Sequence, residues 1–98
     1  MSTVNVAQNI KAMLSSELMV EVPADRMNSD DSLRDTYGLD SLGFVELRVQ
    51  CEQTFGITIS DDAFSPENFG TLGAVVDLVE QLLKEKENAP ESAARTAG

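Results

Sequence analysis

The sequence predicts an all-α fold: a small antiparallel four-helix bundle of three longer helices and one short one, with a long loop between the first two. Three observations carry that expectation. Three segments place apolar side chains at helical spacing, and each begins at a residue suited to cap a helix. The strand-like run Ile57-Thr58-Ile59 has no partner strand elsewhere in the chain.

In the first helix Val6, Ile10, Met13, Leu14 and Leu18 share one face. Thr3 or Asn5 offers the start signal and Pro23 the stop, so the spacing predicts a helix over residues 4–20. The stretch "EVPADRMNSDDSLRDTYGLD" then loses all periodicity and is rich in turn formers, which makes it a loop anchored by Val22, Leu33 and Tyr37. A second helix is expected over residues 41–55, closed by Gly56 as a left-handed cap. Ile57 to Ile59 form an extended connector, and Ser65-Pro66 opens a short helix with Ser65 as cap. Thr71 caps the final helix, whose stripe is Leu72, Val75, Val76, Val79, Leu82 and Leu83. Residues 1–85 form the folded domain, and residues 86–98 form a disordered tail lacking periodicity.

With 98 residues, 42% hydrophobic but only 5% aromatic, the chain suits one domain with an aliphatic core. Seventeen acidic residues against seven basic ones give a net charge of -10, which disfavours nucleic acid and anionic membranes and favours partners with basic patches. No apolar run approaches the roughly 20 residues that span a bilayer. The start "MSTVNVAQNI" lacks the features of a secretory signal, and a single cysteine excludes an internal disulfide, so a soluble, cytoplasmic monomer is expected. The chain contains no histidine. Nucleophilic catalysis by an internal Ser-His or Cys-His pair is thereby excluded.

The second helix carries most of the information. At about 100° per residue, Phe44, Leu47, Cys51 and Phe55 fall on one side and Leu42, Val45 and Val49 on the other. Two readings follow. Either the bundle wraps this helix on both sides, or the aromatic stripe is core and Leu42, Val45 and Val49 form an exposed docking strip rimmed by Asp40, Glu46 and Glu52. Asp40 suits the N-cap, accepting from the amide of Leu42 or Gly43, with Leu39 and Phe44 as a hydrophobic staple. Ser41 is then the first residue inside the helix. Its hydroxyl faces solvent beside unpaired amides and the positive end of the helix dipole, where an attached anion is favoured. By local chemistry alone it reads more readily as an ordinary polar residue at a helix start, where serine is common.

"GLDSLGFVEL" resembles the attachment motif of the acyl carrier proteins of fatty acid and polyketide synthesis. Leu33 matches the family's core anchor in the first loop, "FGITI" the end of the second helix, and "FGTLGAVVDLVEQL" the last helix. The resemblance implies that Ser41 carries a covalent 4′-phosphopantetheine arm, installed by a phosphopantetheinyl transferase using coenzyme A and a divalent cation. It implies a carrier, not an enzyme, that holds acyl groups as thioesters. Its partners are a ketosynthase, an acyltransferase and other synthase enzymes with basic surfaces, which meet Asp40, Leu42, Val45, Glu46, Val49 and Glu52. Gly43 stands where fatty acid carriers often have an acid, Arg48, Gln50 and Gln53 dilute the acidity further, and "VELR" is more similar to polyketide carriers, which points toward polyketide or antibiotic biosynthesis.

Competing readings remain. An acidic helical interaction module without the arm accounts for the same apolar strip. Calcium binding by "DRMNSDDSLRD" lacks the ligand spacing and central glycine of an EF-hand. Cys51 lies on the core stripe, where a cysteine behaves as a small hydrophobe.

Overall fold

The computed structural model describes residues 5–88. Among them are three α-helices, α1 (Val6–Ser16), α2 (Ser41–Phe55) and α3 (Leu72–Asn88), and one 3-10 turn at Ala24–Arg26. Helix α1 packs against α2, α3 and the 3-10 turn, and α2 packs against α3. The core between them is aliphatic: Ile10, Leu14, Leu47, Ile59, Leu72, Val75 and Val79 are fully buried. Each such side chain stabilises the fold by about 1.5–3 kcal/mol.

Asn5 starts α1 by accepting from the amide of Gln8 at 3.0 Å. The helix stops at Ser16, four residues short of the expected end and well before Pro23. Tertiary burial overrides the periodicity there. The amides of Leu18 and Val20 turn back onto the carbonyls of Met13 and Leu14 (3.1 and 2.9 Å), Met19 takes a left-handed backbone (φ 59°), and Val20 enters the core.

The long loop is pinned throughout its length. Met27, Leu33, Tyr37 and Leu39 are buried, while Val22 packs at the edge of the core. Its middle is tied to the start of α3, with Leu33 N donating to Gly70 O (3.1 Å), Leu72 N to Asp31 O (3.0 Å) and Gly73 N to Ser29 O (2.9 Å). A side chain at Gly73 would sit 3.1 Å from that Ser29 carbonyl, so any larger residue there would push the loop back by a few tenths of an ångström.

The second helix matches its predicted bounds. Gly56 closes it with φ 65°, and its carbonyl accepts from Lys86 Nζ at 2.7 Å, joining the end of α2 to the end of α3. Ile57 and Ile59 are buried on an extended connector with Thr58 exposed between them.

The expected short helix at Ser65-Pro66 is absent. Residues 61–70 form turns, within which Ser65 caps a single turn, its hydroxyl accepting from Asn68 N (3.2 Å) and its carbonyl from Phe69 N (2.9 Å). The chain then turns at Gly70, and Thr71 accepts from Ala74 N (3.2 Å) to start α3. Leu78 joins the α3 stripe in the core. Because α3 continues to Asn88, residues 86–88 are helical where a disordered tail was expected; the rest of that tail lies outside the described residues.

Tyr37 anchors the loop through its ring and its hydroxyl, which donates to Asp31 Oδ2 at 2.8 Å. The amide of Asn28 and that hydroxyl hold the Asp31 carboxyl below its ordinary 3.8. Burial, then the Asp31 hydrogen bond and charge, raise the Tyr37 phenol above its ordinary 10.0. A lowered carboxyl stabilises the fold above its unfolded pKa and loses that effect as pH falls through the folded value; a raised phenol stabilises below pH 10.0 and loses it as pH rises. Denaturant midpoints measured across pH should therefore fall at both extremes. In Tyr37→Phe the alkaline fall should lose the Tyr37 contribution and the acid fall should weaken, since the Asn28 amide remains. An unchanged profile in the variant would contradict the pair.

Candidate functional site

Helix α2 begins with extended backbone at Asp40 (φ -106°, ψ -169°), whose Oδ1 accepts from Gly43 N at 2.9 Å. The first helical bond follows immediately, from Phe44 N to Asp40 O at 2.9 Å. Leu39, just before the cap, is buried, so the chain enters the helix from a fixed point. Ser41 is thereby the first helical residue and is exposed. Gly43 sits tightly on this entry: a side chain there would meet Leu39 Cδ2 at 3.0 Å.

The two stripes of α2 have different fates. Leu47, Cys51 and Phe55 are buried and Phe44 is half-buried, whereas Leu42, Val45 and Val49 are 79%, 48% and 38% exposed. Wrapping on both sides is not what the molecule adopts. Cys51 lies against Met13, Sγ to Sδ 4.0 Å, and burial, with the nearby Glu52 charge, pushes its thiol up to about 12. It is a core side chain and holds no reactive thiolate at neutral pH.

The charged residues of α2 divide between surface and connector. Asp40 and Glu46 are exposed, and Glu46 accepts from Gln50 Nε2 at 3.1 Å. Glu52 faces the connector instead, accepting from the amide of Ile59 at 2.8 Å with its side chain 28% exposed. Arg48 is directed the same way. Its Nε and Nη2 donate to Ile59 O (3.1 and 2.6 Å), Nη2 reaches Asp61 Oδ1 (3.0 Å), and the guanidinium lies 4.9 Å from the Phe64 ring centre. Phe64 in turn meets Phe69 edge-on, ring centres 4.8 Å apart.

These contacts build one wall of a cleft of about 540 Å³ that Ser41 also lines. Phe44 and Val45 line it from α2, Phe64, Ser65, Pro66 and Phe69 from the turns, and Ser32, Arg34 and Asp35 from the long loop. Sequence reasoning did not single out the cleft or the bracing role of Arg48. A signal for Arg48 existed in its spacing of four residues from Glu52, whereas the cleft joins segments far apart in the chain. The acidic loop gathers no group of three or more carboxylates, cysteines or histidines suited to a metal among the described residues.

A family model described as "Phosphopantetheine attachment site" matches residues 8–79. The chain is also 35% identical over 71 residues to the acyl carrier protein of Onion yellows phytoplasma (strain OY-M), a match covering 72% of this chain and 88% of that protein. The chain belongs to the acyl carrier protein family. Members of this family are carriers rather than catalysts, and 4′-phosphopantetheine is the group on which they carry. The start of α2 suits that group: an exposed hydroxyl on a capped helix turn, beside a cleft. No helix among the described residues is long and apolar enough to cross a membrane.

Because Arg48 braces the connector through three hydrogen bonds with charged character, Arg48→Gln should lower stability by about 1–3 kcal/mol. It should also speed amide exchange at Ile59. A urea midpoint and exchange rate equal to the wild type would remove Arg48 from that role.

Proposed function

We propose that this acyl carrier protein bears its phosphopantetheine arm on Ser41 and shuttles acyl thioesters among the enzymes of a polyketide or related specialised pathway. The observation that carries the reading is the placement of Ser41: exposed, first in α2, and fixed by the Asp40 cap. No internal base is needed. A phosphopantetheinyl transferase takes the serine proton, the oxygen bonds to the pantetheine-side phosphorus of coenzyme A, and the pyrophosphate P–O bond breaks to release adenosine 3′,5′-bisphosphate. The attached group supplies a thiol that holds the acyl chain as a thioester.

The exposed Leu42, Val45 and Val49, with Asp40 and Glu46 beside them, form the docking face for a transferase, ketosynthase or acyltransferase with a basic entrance. Charge of this kind speeds encounter more than it strengthens the complex, which suits brief visits to many partners. Glu52 contributes to the rim in part only, since its carboxylate also holds the Ile59 amide. The polyketide assignment rests on Gly43, Gln50 and Gln53 where a fatty acid carrier is more acidic, and on Arg48, which dilutes the acidity of α2 further. A cytoplasmic monomer is the state proposed for it.

Incubation with a promiscuous transferase and coenzyme A should add one arm by intact-mass measurement, and Ser41→Ala should add none. Mass gain in the variant would move the attachment elsewhere. Equal performance of wild type and Ser41→Ala in the pathway would favour an armless interaction module.

A further inference from the structure

The cleft beside Ser41 has a charge pattern that its walls do not explain. In a chain of net charge -10, the one cation among its described lining residues is Arg34, in the loop facing the start of α2. Arg34 is exposed and, among the described residues, makes no ion pair within 4.0 Å, although Asp35 lines the same cleft. The contrast with Arg48 is direct, because that guanidinium is engaged by a carbonyl, a carboxylate and a ring. Nor does the Asp40 carboxylate take Arg34; it is engaged by the Gly43 amide.

We infer that Arg34 pairs with the phosphodiester of the arm on Ser41, and that the cleft receives the pantetheine part of the arm between visits to partner enzymes. The inference rests on Ser41 being the attachment residue. A guanidinium fits two phosphate oxygens at once and is always charged, so it offsets the repulsion that the surrounding acids impose on an anionic arm. The rest of the lining offers groups that suit the remainder of the arm. Phe44 and Phe64 offer apolar surface for a branched hydrocarbon segment, and Ser32 and Ser65 offer hydroxyls for amides. The volume, about 540 Å³, falls in the range of about 300–1,000 Å³ common to small-molecule sites. Val45 belongs both to the cleft and to the exposed strip. A partner seated on the strip therefore contacts the same side chain as the stowed arm, and docking and arm release are linked at that residue.

The test uses the loaded protein, with one arm first verified by mass in wild type, Arg34→Gln and Arg34→Lys. Reaction of the arm's thiol with a neutral disulfide reagent should be about two- to five-fold slower in the wild type than in Arg34→Gln, the range that an exposed ion pair supports. Arg34→Lys should retain part of the protection, and added salt should erode it in the wild type. NMR cross-peaks should join the arm's methyl protons to the rings of Phe44 and Phe64, and should weaken in Arg34→Gln. Equal thiol rates in wild type and Arg34→Gln, or no such cross-peaks in the wild type, would overturn the inference. A wild type that gains no mass would instead refute the attachment at Ser41.

Discussion

A single hydrogen bond, from the amide of Gly43 to the carboxylate of Asp40, sets the phase of the central helix. A cap of this kind is worth about 0.5–2 kcal/mol, which is modest, but its geometric effect is large. Where the helix begins decides which of its side chains face the core. With Asp40 as cap and Leu39 buried behind it, Leu47, Cys51 and Phe55 turn inward while Leu42, Val45 and Val49 turn out. Ser41 is held on the first turn, where the dipole favours an attached anion.

The outward strip would be a liability on a helix with no partner, because exposed aliphatic side chains contribute nothing to stability there. The fold compensates from the edge of the strip itself. Arg48 and Glu52 bind the carbonyl and the amide of Ile59, holding the connector against the helix without covering the strip. The same contacts bring Phe64 and Phe69 to the cleft. Stability and accessibility are thus supplied by adjoining residues of one element.

What the sequence disclosed, and what it did not, follows from the range of the interactions. The bounds of α2 were legible because Asp40 and Gly56 act within a few residues of themselves. The end of α1 was not, since it depends on Val20 entering a core assembled from distant segments. Ser65-Pro66 carries a true local signal, and its cap forms, yet the turn does not propagate before Gly70. Composition suggested a tail from residue 86, while Lys86 finds the Gly56 carbonyl and α3 continues past it. Glu52 looked like rim by helical phase alone; its partner, seven residues away on a non-helical connector, was invisible to that phase. The cleft was illegible for the same reason, as its walls come from three separate stretches.

Helix-start geometry is the claim on which the account rests, and amide hydrogen exchange tests it at the residue concerned. Exchange at Gly43 and Phe44 should quicken in Asp40→Ala and be largely restored in Asp40→Ser, with the rate of arm transfer to Ser41 falling and recovering in step. Unaltered protection and unaltered transfer in Asp40→Ala would contradict it.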